Sequence, residues 1–325
     1  MSSASEALGS PSSRRQSNDG TGFQLIAAPF TPLDPSGALA CHVIRDLADR
    51  LHGDGVTGVF ICGSNGEGPS LSSSERAQVT EEWIATAKGR LRTMVHVGHS
   101  SITEARALAR HAAEHGADAA SATASFYFRP GSLGDLVDSM AEIAAGAPDL
   151  PFYYYHLPAM TGLNFDMVAF LDEARNQIPN FAGIKYTAST IWEYQACIDN
   201  AKDSSMEVLF GYDEMLLPAM SVGASGAVGS TYNFAAPLYR QMIEAFQNGR
   251  LELARERMSE LVTMVRILTR YPAIPAQKAI MKRIGLDVGP CRLPLGSLSQ
   301  DKICSLYRDL DAVDFWNSLD RVRGA

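Results

Sequence analysis

Asn180-Phe181-Ala182-Gly183-Ile184-Lys185-Tyr186-Thr187 carries an apolar run straight into a lysine. Short apolar runs bounded by polar residues read as buried strands. Lysine is almost never buried without a compensating reason. A lysine closing such a strand is therefore a candidate for chemistry. Burial disfavours the charged amine, and a pKa lowered from about 10.4 to roughly 7–8 makes it a nucleophile. The competing reading is a lysine that leaves the sheet and snorkels into solvent. On this stretch alone both readings stand. The chain has six lysines, and Lys88, Lys202, Lys278, Lys282 and Lys302 all fall in stretches that read as helix or helix end. A solvated lysine is ordinary there.

Runs of the same kind recur on both sides. They are Phe23–Pro29, Gly58–Cys62, Met94–Val97, Ala119–Ala124, Phe152–Tyr155, Val208–Phe210 and Gly226–Val228. Helical patterns separate them: Val43–Leu51, Ser74–Ala87, Thr103–Glu114, Leu133–Ala145, Asp166–Arg175, Trp192–Asn200, Asp213–Val222 and Ala236–Asn248. Eight strictly alternating strand–helix pairs in about 225 residues imply a parallel sheet closed into a (β/α)8, or TIM, barrel. A doubly wound open sheet is the runner-up. It calls for a glycine-rich loop after the first strand, where Pro29-Phe30-Thr31-Pro32 stands instead. Beyond residue 250 the strand signal is lost. Leu251–Thr269 reads as one amphipathic helix, Pro272 and Pro275 break it, and Ala276–Ile284 and Leu298–Leu310 read as two more. The expected organisation is a disordered tail over 1–20, a barrel over 21–248 and a C-terminal three-helix extension over 249–325.

Composition narrows the class. The 325 residues carry a net charge of −8, which speaks against a general nucleic-acid binder. No apolar run approaches the roughly 18 residues of a membrane span. Cys41, Cys62, Cys197, Cys291 and Cys304 are odd in number and scattered, which fits reduced thiols and a cytoplasmic location. The first twenty residues are rich in Ser, Gly and charge. Glu6, Asp19 and the lack of an amphipathic face argue against a transit peptide there.

In such a barrel, chemistry sits at the C-terminal ends of the strands. Those ends read Gly63-Ser64-Asn65-Gly66-Glu67, Phe126-Tyr127-Phe128, Tyr155-His156, Lys185-Tyr186-Thr187, Gly211-Tyr212-Asp213-Glu214 and Gly229-Ser230-Thr231-Tyr232-Asn233. Together they form a consistent set. Lys185 is the nucleophile. The Tyr155 phenol, with Tyr127 as a second candidate, can carry protons. The Gly63–Gly66 turn offers backbone N–H groups and the Ser64 hydroxyl to a carboxylate. Asp213, Glu214, Thr187 and Ser230 suit a polyol. Each has a plainer alternative. The turn can be only a turn, Tyr153-Tyr154-Tyr155 can be wall aromatics, and Asp213 can be a helix N-cap with Glu214 in the first turn. No His/Cys/Asp cluster shows metal-ligand spacing, and His96 with His99 reads as structural.

These residues carry a resemblance. The chain resembles the pyruvate-dependent class I aldolases of the dihydrodipicolinate synthase and N-acetylneuraminate lyase superfamily over roughly residues 22–300. Gly63-Ser64-Asn65-Gly66-Glu67 is similar to the family's carboxylate loop, and Gly183-Ile184-Lys185 to its Schiff-base strand. Gly289-Pro290-Cys291-Arg292-Leu293-Pro294-Leu295 is similar to a late family segment. Tyr153 to Gly162, Phe210–Glu214 and Gly226–Asn233 resemble the sialic acid lyase branch. The resemblance implies that Lys185 forms an imine with the pyruvate carbonyl and that Tyr155 transfers protons. It implies that Ser64 and the Asn65 backbone hold the carboxylate, and that Thr187, Gly211, Asp213, Glu214 and Ser230 hold the sugar-derived chain. It likens Tyr127 to a tyrosine that reaches a neighbouring subunit's site in a homotetramer. No metal or organic cofactor is expected, because the imine is the electron sink.

Two departures matter. Asn65 stands where the family has Thr, and Ser125 where a proline usually precedes the aromatic pair. The synthase branch carries an arginine two residues after the strand-5 proline. Here that residue is Met160, with no other guanidinium expected nearby, and a thioether cannot grip a carboxylate. The expected reaction is reversible cleavage of N-acetylneuraminate to N-acetylmannosamine and pyruvate. The alternatives are an aldolase for a 2-keto-3-deoxy sugar acid, the synthase, and a binding protein that has lost catalysis. The intact Lys185–Tyr155 pair argues against the last.

Overall fold

A computed structural model describes residues 22–324; the expected tail over 1–20 lies outside the described residues. Eight parallel strands close on themselves in chain order, with β8 pairing back onto β1. The strands are β1 (Gln24–Ala27), β2 (Gly58–Ile61), β3 (Arg92–His96), β4 (Ala119–Ala122), β5 (Phe152–His156), β6 (Phe181–Tyr186), β7 (Glu207–Phe210) and β8 (Gly226–Gly229). The helices of the barrel are α1 (Ile44–Gly53), α2 (Ser73–Ala87), α3 (Ile102–Glu114), α4 (Leu133–Ala144), α5 (Pro158–Thr161), α6 (Met167–Gln177), α7 (Ile191–Ala201), α8 (Leu216–Ser221) and α9 (Tyr232–Gln247). The C-terminal helices are α10 (Leu251–Leu268), α11 (Ala273–Arg283), α12 (Gln300–Asp311) and α13 (Phe315–Arg323). The closed TIM barrel read from the alternation is the architecture found.

The strands are apolar throughout because both of their faces are buried. Val59, Ile61, Val95 and Ile184 pack outward under the helices. Ile26, Phe60, Met94, Tyr155, Leu209 and Val228 fill the interior. A polar plug closes the N-terminal end of the barrel. Arg92 donates to Gln24 at 2.7 Å, to Glu207 at 2.8 Å and to the Tyr153 hydroxyl at 2.8 Å. The half-buried charges of Arg92 and Glu207 are paired with each other.

Between β5 and β6 the register slips by one residue: Phe152 faces Phe181, but Tyr153 faces Gly183. The bulge lets Ala182 pack against the interior and still aims Lys185 inward. Gly183 has φ 143°, and a Cβ there would lie 1.9 Å from the Glu207 carbonyl oxygen, so no other residue fits beside β7. The glycine two residues before the lysine is thus a requirement of the strand.

Two readings need correction. The extension holds four helices among the described residues, not three. The missed one, α13, is short and follows Asp314 in the left-handed region (φ 57°). It buries Phe315, Trp316 and Leu319, and Arg323 ties it to Asp54 of the barrel at 2.5 Å. Pro275 does not delay α11. It sits in the first turn, where its missing N–H has no intrahelical partner to lose.

Candidate active site

The loop after β2 is bracketed by two non-glycine residues in the left-handed region, Cys62 (φ 57°) and Glu67 (φ 56°). Such backbone persists only where its surroundings over-determine it, and here they do. Thr31 Oγ1 donates to the Gly66 carbonyl at 2.6 Å. Asn65 Nδ2 donates to the Ala28 carbonyl at 2.6 Å, so the amide that replaces the family's Thr braces the loop against the end of β1. Lys278 of α11 reaches Glu67 Oε1 at 2.7 Å, with both side chains buried. Glu67 Oε2 accepts from the Arg292 backbone N–H at 2.8 Å. Lys278 was expected to be an ordinary solvated helix lysine; it is 4% exposed. It also donates to the Pro290 carbonyl at 2.7 Å.

Lys185 is also 4% exposed, and its partners are of another kind. Its Nζ lies 3.9 Å from the centre of the Tyr155 ring and 4.1 Å from that of Phe60. Tyr155 is its direct register partner on β5. Burial pulls the amine down to about 7, while the Asp213 carboxylate pulls the other way. Among the described residues no ion pair or hydrogen bond engages it. His96 completes the aromatic wall, its ring 5.8 Å from Tyr155. Its Nδ1 lies 3.2 Å from the Cys62 carbonyl, and Nε2 accepts from the Thr123 N–H at 3.3 Å. That pair of contacts fixes a neutral tautomer, and burial holds its pKa well below the usual value.

The three tyrosines of β5 have three fates. Tyr153 belongs to the polar plug. Tyr154 faces outward, 4.5 Å from the Phe170 ring. Tyr155 faces Lys185. Burial pushes its hydroxyl up to about 12, with the Ser64 and Thr187 hydroxyls drawing it down. A phenol raised in this way stays protonated near neutral pH and is not a standing phenolate. Thr187 packs closely on Gly211, where a Cβ would lie 1.9 Å from Thr187 Oγ1.

Asp213 is buried and is not an N-cap. Its Oδ2 accepts from the Thr231 N–H at 2.8 Å and from the Thr231 hydroxyl at 2.7 Å. Its pKa is raised to about 6, chiefly by burial. Only Oδ1 is left for a ligand. Glu214 and Ser230 are half-buried beside it. Tyr127 stands apart: it is 78% exposed, and its ring partner is Phe128 at 5.0 Å. Met160 is 69% exposed. The expectation that no guanidinium lies nearby needs correction, because the Arg129 head packs against Gly162, two residues from Met160.

Residues missed by the sequence reading are mostly braces. Thr231 holds Asp213. Asn233 donates to the Ala28 and Ser230 carbonyls, both at 2.7 Å. Lys278 carried no local signal, because the burial of residues 275–281 of α11 arises only when the helix packs. Glu81, His111 and His115 come together on the outside of the barrel, remote from Lys185.

The group as a whole is an amine lowered towards neutrality, a phenol against it, and a loop of N–H and hydroxyl donors. It can add to a carbonyl and hold an adjacent carboxylate. The comparisons agree with that chemistry. A profile of the dihydrodipicolinate synthetase family matches residues 23–313. The N-acetylneuraminate lyase of Homo sapiens is 38% identical over 304 residues, covering 92% of this chain and 95% of the relative. Among solved structures, the N-acetylneuraminate lyase (sialic acid aldolase) of Aliivibrio salmonicida is 39% identical with a TM-score of 0.87, covering 90% of this chain and 97% of that one. The N-acetylneuraminate lyase of Proteus mirabilis is 37% identical with a TM-score of 0.87, covering 90% and 99%.

Proposed function

The chain belongs to the dihydrodipicolinate synthetase family, and from that membership we propose that it is a lyase cleaving N-acetylneuraminate reversibly to N-acetylmannosamine and pyruvate. The observation that carries the reading is Lys185: a buried amine near pKa 7, in register with Tyr155. The open-chain substrate places its carboxylate on the Ser64–Asn65 loop. Neutral Lys185 attacks the C2 ketone, water leaves, and the iminium draws the electrons of the C3–C4 bond. Tyr155, with the Ser64 and Thr187 hydroxyls beside it, relays the C4-hydroxyl proton. N-acetylmannosamine departs, the enamine is protonated at C3, and hydrolysis returns pyruvate and the free amine. Thr187, Gly211, Asp213 Oδ1, Glu214 and Ser230 line the path of the polyol.

No external cofactor enters this scheme, since the lysine itself supplies the electrophile. Tyr127 acts in this reading from a neighbouring subunit of a homotetramer. The exposed Phe126, Tyr127, Phe128 and Trp192 favour such association. No helix among the described residues is long and apolar enough to cross a membrane. The free, scattered cysteines fit the proposed cytoplasmic location.

The test of substrate is a competition. The enzyme is given pyruvate with either N-acetylmannosamine or aspartate semialdehyde, and condensation is timed. Two carboxylates at the end of β7 accept bonds from sugar hydroxyls but repel a second carboxylate. Condensation with N-acetylmannosamine is expected to be faster. Faster reaction with the semialdehyde would overturn the lyase reading in favour of the synthase, with Arg129 as the group to examine.

A further inference from the structure

We propose that Glu81, His111 and His115 form a binding site for one transition-metal ion of the zinc class, clipping α2 to α3 on the outer face of the barrel. The histidines are four residues apart, one helical turn, on the last turn and C-cap of α3. Glu81 reaches across from α2. One ligand atom from each residue lies within 4.8 Å of the others. Glu81 Oε1 is 2.9 Å from His111 Nε2 and 3.8 Å from His115 Nε2. A tetrahedral ion with bonds of about 2.0–2.1 Å holds its ligand atoms roughly 3.4 Å apart. The observed separations lie on either side of that value, within reach of small side-chain rotations.

The orientation of the second ring supports a ligand role. His115 Nδ1 is 2.9 Å from the His111 carbonyl, so Nδ1 carries the proton and Nε2 is left as a lone-pair donor. A backbone carbonyl on the far nitrogen is the usual way a metal-binding imidazole is held in its tautomer. The competing account is a simple ion pair at a helix C-terminus, where a protonated histidine is favoured. It serves this arrangement less well. The ring centres are 4.1 Å apart, so two protonated rings would repel, and a single carboxylate oxygen would have to satisfy both. A divalent ion takes both rings neutral and the carboxylate charged. Two imidazoles and one carboxylate suit Zn²⁺, Cu²⁺ or Ni²⁺ and not Mg²⁺. The C-terminal end of α3 lies on the side of the barrel away from the chemistry, where residues serve stability. The ion would therefore act as a clip, with water completing its coordination.

The test is calorimetric titration of the full chain with Zn²⁺ after chelation and dialysis, with Mg²⁺ as the control. One Zn²⁺ per chain and a rise in melting temperature are expected for the wild type. Loss of outer-shell partners alone weakens metal sites by about 10–100-fold. His111→Ala or His115→Ala should therefore weaken binding by about 100-fold or more, and Glu81→Gln by at least about tenfold. All three side chains are solvent-accessible, so folding and lyase turnover should not change. No stoichiometric Zn²⁺, or equal affinity in the His111→Ala/His115→Ala double variant, would overturn the proposal; the second result would place the ion elsewhere, the cysteines included.

Discussion

Lys185 and Lys278 are each 4% exposed, yet they have opposite surroundings. Lys278 has a carboxylate at 2.7 Å and a carbonyl at 2.7 Å. Lys185 has two aromatic faces, and the anion that acts on it, Asp213, is committed through one oxygen to Thr231. Burial alone therefore does not make a lysine reactive. What separates the two is whether a counter-charge pairs with it directly. Where one does, the amine is an anchor that holds the loop through Glu67. Where none is in contact, desolvation outweighs the pull of the Asp213 carboxylate and brings the amine to about 7. The sheet delivers one lysine and the C-terminal extension the other.

The comparison breaks most visibly at Lys185 itself. Lys185→Ala should reduce pyruvate release from sialic acid by roughly 10⁶-fold, the scale of losing a covalent nucleophile. The melting temperature should hardly fall, because no ion pair is lost. A variant that keeps turnover would mean that the unpaired amine is not the reacting one. Tyr155→Phe retains the ring on which the Lys185 amine lies and removes only the relay. The expected loss in kcat is about 10²–10⁴-fold, with imine formation preserved.

Lys278 should fail in the other way. Lys278→Met leaves Glu67 buried without its counter-ion, which costs about 3–5 kcal/mol of stability in denaturant titration. Lys278→Met with Glu67→Gln should recover most of that loss, since no charge is left stranded. Unchanged stability in the single variant would show that the pair is not buried in solution. KM for pyruvate is the expected kinetic readout, because the proposed mechanism seats the carboxylate on this loop.

The smallest effect is the pH dependence of pyruvate trapping by a hydride reagent. The attacking form is the free amine. Protonation below about pH 7 removes it, so the rate should rise about tenfold from pH 6 to pH 8 and then level off. A rate still climbing steeply above pH 8 would give Lys185 an ordinary lysine environment.

The barrel was legible because parallel strands buried on both faces must be apolar, and eight such runs alternate with helical patterns. The enclosure of Lys185 was legible for the same reason, since the apolar run continues up to the residue before it. The braces were not. Lys278 and Glu67 come from opposite ends of the chain, and nothing local marks either as a partner. The sequence marks Asn65 only as a departure from the family's Thr, whereas its amide is bonded to Ala28, a contact that only the closure of β1 against β2 creates. The i, i+4 spacing of His111 and His115 was visible in the sequence; Glu81 on a different helix was not. The three adjacent tyrosines separate only because strand pleating sends Tyr154 outward while Tyr153 and Tyr155 face in at different depths.

The central claim is that the unpaired buried lysine is the one that reacts. The direct measurement is borohydride reduction of the protein in the presence of pyruvate, followed by peptide mass analysis. The account predicts one reduced pyruvyl adduct per chain, on the peptide containing Lys185, and none on Lys278. An adduct on Lys278 or any other lysine, or no adduct at all, would contradict it.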